Sequence, residues 1–239
     1  MKKIFMLFLL SAFSGTLLLA QKPIIDANAE KRNVGSFHGI EVSTGIKLVL
    51  TAGNTEEVAV SASTTEFRDR IVTQVENGIL KIHYESKLGS VNKVNESKGL
   101  KAWVSYKTLD LLNVNTGAKV DINGVLQSTS LKLKGNTGGI VNGEVNINSL
   151  TVTQSTGSKI TLTGKAENLD IEGSTGSKFE GEDMSTINCN VNAGTGARVT
   201  VKAEKELQVK ASTGGNVKYK GSAAIREIKT NTGGSVSKI

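Results

Sequence analysis

The sequence has few of the residues that disulfide frameworks, flexible chains and bulky cores require. Its 239 residues include one cysteine, one proline and ten aromatic side chains. A single cysteine excludes the disulfide-rich scaffolds of small secreted domains. With 38% hydrophobic and 21% charged residues, the composition argues against a disordered chain, and the single proline argues against a collagen-like one. The core must therefore consist mainly of Val, Ile and Leu, which favours thin, repeated layers.

The first twenty residues have the organisation of a secretory signal peptide. Lys2 and Lys3 precede an apolar stretch, and a cleavage point follows Ala20. The apolar stretch has about 16 residues, which is short for a membrane span, so an uncleaved anchor is only the alternative. Cleavage removes two of 29 basic residues and none of 22 acidic ones, which lowers the net charge from +7 to +5. We expect an exported protein, periplasmic, surface-located or secreted, whose mature form does not span the membrane.

A Thr-Gly dipeptide recurs along the second half of the chain at nearly constant spacing. Successive copies are 21, 19, 19, 20, 18 and 19 residues apart. The threonines are Thr116, Thr137, Thr156, Thr175, Thr195, Thr213 and Thr232. The residues four positions before and four positions after each threonine are apolar in all seven copies. A fixed period of about 19 residues is the signature of a solenoid.

The apolar positions inside each repeat alternate with the period of a β-strand. Leu131 and Leu133, for example, are separated by one residue, while Asp110 and Arg226 interrupt this pattern in the first and last copies. One repeat can form a coil of two or three short strands, and coils can pair in parallel about 4.8 Å apart. We predict an all-β fold, a single-chain parallel β-helix (β-solenoid), and the crossover rule favours a right-handed coil.

The Thr-Gly dipeptides are predicted to form the corners of the coils. The glycine can adopt the positive φ that a tight turn requires. The residue before each threonine is Asn, Ser or Gly, so stacked coils would align amides and hydroxyls into ladders. We interpret the seven threonines as a structural corner ladder. The alternative is an outward array that presents a flat face to ice or to a crystalline polysaccharide.

Outside the regular repeats, the chain can be divided into segments by composition and by the spacing of apolar residues. Residues 37–112 are strand-rich but less regular, with a degenerate corner at Ser43-Thr44-Gly45 and a hairpin signal at Asn77-Gly78. Residues 65–74 are interpreted as a short helix or loop, and residues 86–98 as a polar excursion. The predicted organisation is a signal peptide at 1–20, an extended leader at 21–36, irregular coils at 37–112 and regular repeats at 113–239.

No group of residues matches a catalytic or metal-binding motif. Glu180, Glu182 and Asp183 form the tightest acidic group, which we interpret as a solvated loop or outward strand face. His38 and His83 have no second ligand at a metal-ligand spacing. No nucleophile elbow or phosphate-binding loop is present. We therefore predict a non-enzymatic protein without catalytic residues, metal or cofactor.

We interpret the basic residues as scattered singly along the coils rather than clustered. Nucleic-acid binding needs a basic stripe with aromatic side chains, and the repeats contain only Phe179 and Tyr219 as aromatics. We therefore expect no nucleic-acid partner but a mild attraction to anionic glycans or outer-membrane headgroups.

One short strand carries the candidate binding residues. Alternation over residues 101–107 turns four side chains outward: Lys101, Trp103, Ser105 and Lys107. A tryptophan between two lysines could stack on a sugar ring or enter a protein interface, so Lys101, Trp103 and Lys107 are the candidate site. The alternative is that the polar excursion folds over Trp103.

The order of segments also carries a family resemblance. The β-rich part begins with Phe37-x-x-Ile40-x-Val42, continues through the segments 44–50 and 77–82, and ends in glycine-rich Thr-Gly coils. From Phe37 to Ile239 this order resembles the putative auto-transporter adhesin head GIN domain family. The Gly-Ile-Asn tripeptide that names the family does not occur, and the nearest forms begin at Gly45 and Gly78. The resemblance implies a β-helical, secreted or surface-associated domain with an adhesive role and no catalytic residues.

These observations predict a non-enzymatic binding or adhesion module at the envelope of a Gram-negative-type cell. Envelope glycans, host glycans or matrix proteins are the expected partners. Two alternatives stay open: a carbohydrate-active lyase or hydrolase, and a periplasmic structural or lipid-binding protein. The last repeat has no capping segment, so we expect its open strand edges to be covered by a partner, by self-association or by the leader.

Overall fold

The computed structural model describes residues 26–86 and 97–239, which are almost entirely β-strand. The bounds are β1 Glu30–Arg32, β2 Gly39–Val42, β3 Lys47–Ala52, β4 Glu57–Ser61, α1 Thr65–Arg68, β5 Ile71–Glu76, β6 Ile79–Tyr84, β7 Lys101–Tyr106, β8 Leu111–Val114, β9 Lys119–Gly135, β10 Ile140–Gln154, β11 Lys159–Gly173, β12 Lys178–Ala193, β13 Arg198–Ala211, β14 Asn216–Lys220, β15 Ala224–Thr230 and β16 Ser235–Lys238. The predicted signal peptide, residues 21–25 of the leader and residues 87–96 of the polar excursion lie outside the described residues. Within the described residues, no helix is long and apolar enough to cross a membrane.

Each regular coil is one long, bent strand followed by a four-residue turn. β10 pairs in parallel with β11, and Ile140 lies opposite Lys159, which is 19 residues further along. The same parallel pairing joins β9 to β10, β11 to β12 and β12 to β13, and β13 then pairs with both β14 and β15. The predicted β-solenoid is confirmed, with about seven turns. Its handedness stays a prediction.

The interior is a stack of aliphatic layers. In the first six repeats, the apolar residues four before and four after each threonine are at most 2% exposed. At the two polar interruptions, Asp110 and Arg226, a neighbouring apolar residue takes the inward position. Leu109 is buried beside Asp110. A register shift places Ile225 rather than Arg226 opposite Leu207. Burial also raises the pKa of the Cys189 thiol to about 12, which fits a small apolar core residue.

The N-terminal part continues the same stack and adds antiparallel strands to it. The Gly45 N–H donates to the Thr116 carbonyl at 3.0 Å, so the degenerate corner lies directly below the first regular one. β1, inside the predicted leader, pairs antiparallel with β4, and β4 pairs antiparallel with β7. β5 and β6 form the hairpin predicted at Asn77-Gly78, where both φ angles are positive. Antiparallel strands and α1 therefore occupy this end.

The opposite end exposes the inner columns of the last coil. In the described residues, β15 pairs only with β13, and β16 pairs only with β14. Ile225 and Ile228 lie opposite buried residues of β13 yet are 50% and 39% exposed. Ile239 is 55% exposed. Covering of this end by a partner, by a second copy or by the leader stays a prediction.

Candidate binding surface

Each Thr-Gly corner has the φ signature of a type I′ turn. In the seven repeats the threonine φ lies between 34° and 49°, and the glycine φ lies between 70° and 75°. The turn is closed by a main-chain bond such as that from the Ser177 N–H to the Ser174 carbonyl, at 3.1 Å. The sequence led us to assign positive φ to the glycine alone. The threonine shares it, although β-branched residues rarely adopt this conformation.

The seven threonines stack into one line along the solenoid, which we call the threonine column. Each corner glycine donates its N–H to the threonine carbonyl of the next coil, as from Gly157 to Thr175 at 3.0 Å. Among the described residues, a side-chain bond between successive positions before threonine occurs once, from Ser155 Oγ to Asn136 Oδ1 at 2.8 Å. The stack is thus held by the main chain, and the seven threonine side chains stay exposed.

A line of basic side chains runs parallel to the threonine column, three residues further along each coil. Strand register places its members side by side in the order Lys101, Lys47, Lys119, Ile140, Lys159, Lys178 and Arg198. We call this line the basic column, and all seven residues are exposed or partly exposed. Our reading of the basic residues as scattered was wrong, because the register aligns residues that lie 19 to 72 positions apart.

Acidic side chains of the next outward column pair with the middle of the basic column. Asp121 lies 3.0 Å from Lys119. Glu180 binds Lys178 and also Lys159, the latter at 2.9 Å, and accepts a hydrogen bond from Thr161. The hydrogen bond from Lys178, followed by that from Lys159, lowers the pKa of Glu180 to about 2. This carboxylate is therefore ionised at any physiological pH.

Compensation by acidic side chains is incomplete in the rest of the basic column. Lys101 lies 3.2 Å from Asp26, and the pKa of Asp26 is lowered mainly by hydrogen bonds from the Asn28 backbone and from Ser61. In the described part of the chain, Lys47 and Arg198 make no ion pair, and both are exposed. These two cations are therefore available to an external anion.

Replacing Glu180 with glutamine is expected to lower the free energy of unfolding by about 1 kcal/mol at pH 7. Because the folded pKa is depressed from 4.5 to about 2, the stabilisation is complete above pH 4.5 and is lost as the pH falls towards 2. Urea unfolding of both proteins between pH 7 and pH 2 measures the difference. Glu182→Gln, at an exposed position without an ion pair in the described residues, is the control. A difference that persists at pH 2 would contradict the assignment.

The structure brings Lys101 and Trp103 of the predicted binding strand together but places Lys107 apart from them. Lys101 is the first member of the basic column, and Trp103 lies two residues further on the same outward side, half-buried between Val49 and Ala59. Lys107 follows the end of β7 and is exposed, apart from the basic column. The predicted covering of Trp103 by the polar excursion concerns residues that lie mostly outside the described ones.

Ser105 was predicted to point outward, but in the structure this side chain is covered. The residue is 7% exposed, and its hydroxyl donates to the Thr55 carbonyl at 2.7 Å. The turn that leads into β4 lies against β7 at this point, so a polar side chain on the outward phase becomes covered.

The described surface has two concave regions, which lie at different coils. A cavity of about 450 Å³ beside the start of the basic column is lined by Lys47, Lys98, Lys101 and Tyr84, among others. A smaller groove of about 200 Å³ lies before the corners of the later coils, along β11, β12, β13 and β15. Its lining amides are already paired between coils, for example Asn188 with Asn168 at 2.9 Å. The first region, by contrast, includes Lys47, which makes no ion pair in the described residues.

The histidine and acidic residues singled out from the sequence do not form a metal-binding group in the described residues. No three His, Cys, Asp or Glu side chains of the described residues are placed to hold a metal ion. Glu180 is engaged with the basic column, whereas Glu182 and Asp183 are exposed. His38 is exposed and contacts Asp110, with 2.7 Å between Nδ1 and Oδ1.

The chain matches a known protein family in sequence and several solved structures in fold. A family model described as putative auto-transporter adhesin, head GIN domain, matches residues 36–223. A solved structure of a putative adhesin from Bacteroides fragilis aligns with a TM-score of 0.77 at 17% identity, covering 88% of this chain and 96% of that one. No curated protein matches the chain in sequence.

Two further solved structures share the fold. A putative adhesin from Parabacteroides merdae aligns with a TM-score of 0.64 at 16% identity, covering 89% of this chain and 95% of that one. A putative lipid binding protein from Parabacteroides distasonis aligns with a TM-score of 0.66 at 18% identity, covering 90% and 98%. At sequence identities this low, the comparison with these structures shows a shared fold.

Proposed function

The chain belongs to the putative auto-transporter adhesin, head GIN domain family, and we propose that it is an exported, non-enzymatic binding module that acts in adhesion at the bacterial cell envelope. The observation that carries the proposal is the regular outer surface, on which exposed threonine and basic side chains repeat coil after coil. The putative adhesins from Bacteroides fragilis and Parabacteroides merdae have the same fold, which supports this role.

A solenoid surface suits the binding of extended ligands. The coils are joined by continuous main-chain hydrogen bonds, so the outward side chains are held at fixed spacings of about 4.8 Å before any ligand arrives. Such preorganisation reduces the ordering cost of binding. Many weak contacts of the same kind can then act together along one polymer chain.

The tightest acidic group does not supply the acid that the carbohydrate-active alternative would need. A glycosidase needs a carboxyl group with a raised pKa as its general acid. The pKa of Glu180 is instead lowered, and Glu182 and Asp183 lie exposed beside it. The lipid-binding alternative is favoured by the description of the Parabacteroides distasonis protein, but the described solenoid interior is filled by buried aliphatic side chains, so a lipid would have to bind outside it.

Labelling and binding measurements test the proposed function. A membrane-impermeant reagent applied to intact cells is expected to label the protein, and the purified chain is expected to bind saturably to at least one member of a panel of glycans, matrix proteins and envelope polymers. Purely periplasmic protein with no affinity for any of them would overturn the proposal.

Two assays separate the alternatives from adhesion. Incubation with a polysaccharide panel should produce neither new reducing ends nor unsaturated products, and either product would favour the enzyme. Solvent extraction of the purified chain should yield no stoichiometric lipid, and a bound lipid would favour the lipid-binding alternative.

A further inference from the structure

The basic column differs from the other outward columns in the sign of its charges. Six of its seven members are cationic, and none is acidic. The two outward columns before the corner mix both signs. Their members are Lys132, Thr151, Asp170, Asn190, Gln208 and Glu227 in one, and Lys134, Thr153, Glu172, Asn192, Lys210 and Lys229 in the other. Like charges are therefore concentrated on one side of the corner.

The fold itself does not require cations in the basic column. Neighbouring strands place these side chains about 4.8 Å apart, a spacing at which like charges repel one another. Ile140 occupies the fourth position, and Asn216 and Ser235 extend the column beyond Arg198, so neutral residues fit the same site. Three acids, Asp26, Asp121 and Glu180, offset only part of the charge. An external anion would relieve the rest.

The threonine column shows a similar departure from what the fold prefers. A residue with positive φ costs least when it is glycine or asparagine, and a β-branched residue is disfavoured there. Threonine nevertheless occupies this position in all seven regular copies and at Thr44. In the seven regular copies the threonines are exposed, and their hydroxyls form a line of hydrogen-bonding groups beside the cations.

The dimensions and chemistry of this surface fit a linear acidic polymer of sugars. From Lys101 to Arg198 the basic column extends over six strand spacings, or about 29 Å. Its cations would bind carboxylate or sulfate groups, and the threonine hydroxyls would bond to sugar hydroxyls. Trp103 lies on the same outward side as Lys101 and offers an apolar face for a sugar ring. A nucleic acid would need aromatic side chains along the groove, and the two columns contain none.

We propose that the basic column and the threonine column together bind a linear acidic polysaccharide that lies along the solenoid axis. This assignment rests on the proposed binding function and names its surface and ligand class.

A charge reversal at the two unpaired cations tests the site. The probes are immobilised polygalacturonate and dextran sulfate, with unmodified dextran as the neutral control. The chain is expected to bind both acidic polymers and not dextran, with an affinity that falls as salt is added. K47E/R198E should weaken this binding at least tenfold. The matched variant K134E/K210E carries the same change of net charge on exposed residues before the corner, and should change binding less than twofold.

Several outcomes would overturn the assignment. Equal losses in the two variants would show a general charge effect, and unchanged binding by K47E/R198E would place the ligand elsewhere. Single-stranded DNA bound as tightly as the acidic polymers would contradict the choice of a polysaccharide. Thermal unfolding of each variant, expected within a few degrees of the parent, excludes misfolding as the cause. If the chain binds neutral glycans or matrix proteins but neither acidic polymer, this site fails while the proposed function stands. If nothing binds, both fail.

Discussion

Replacing Ile171 with alanine is expected to lower the free energy of unfolding by about 3 kcal/mol, whereas the same replacement at Ile228 should lower it by less than about 1 kcal/mol. Both residues lie four positions before the threonine of their repeats, so the chemistry and the strand position are matched. Ile171 is 2% exposed, with coils on both sides. Ile228 is 39% exposed in the last described coil. Only the first replacement leaves a cavity.

Urea unfolding followed by circular dichroism measures both losses. The m-values need to be compared as well, because a solenoid can unfold from its ends and depart from two-state behaviour. Equal losses at the two positions would contradict the exposure of the C-terminal end. If such losses also depended on protein concentration, a second copy would be covering Ile228, which is one of the three coverings that the sequence led us to expect.

The regular part of the fold follows from the sequence because its register is repeated. Seven Thr-Gly copies with fixed apolar offsets identify both the coil length and the inward columns, and the stacked Thr44 extends this pattern to the first coil. The antiparallel pairing of Glu30–Arg32 with Glu57–Ser61 has no such period. It joins two segments that lie far apart in the sequence, and neither segment carries a motif that identifies its partner.

The candidate site was predicted less completely than the fold. Lys101 and Trp103 were identified from alternation in one strand, which is local information. The basic column depends on register between coils and was missed, although the position three residues after each corner threonine shows Lys119, Lys159 and Lys178 once the repeats are aligned. The positive φ of the threonines could not be expected, because β-branched residues disfavour it.

Replacing Gly164 with alanine is expected to cost at least about 3 kcal/mol, whereas Gly176→Ala should cost about 1 to 2 kcal/mol. Gly176 has a φ of 70° at a corner, and a Cβ there would meet no atom within 4 Å, so only the backbone conformation is strained. Gly164 has a φ of 95°, and its Cβ would lie 2.2 Å from the Val145 carbonyl oxygen. Alanine at this position must therefore also push two coils apart.

The position of Gly164 explains why that displacement cannot be absorbed locally. The register between β11 and β12 shifts between Thr161 and Gly164, where β12 carries one extra residue. β11 lies between the bulge of β12 on one side and the Val145 carbonyl on the other, so it has no free direction in which to move. Thermal and urea unfolding of the two variants measure the difference. Equal destabilisation would mean that backbone strain alone, and not the approach of neighbouring coils, makes glycine necessary at the bulge.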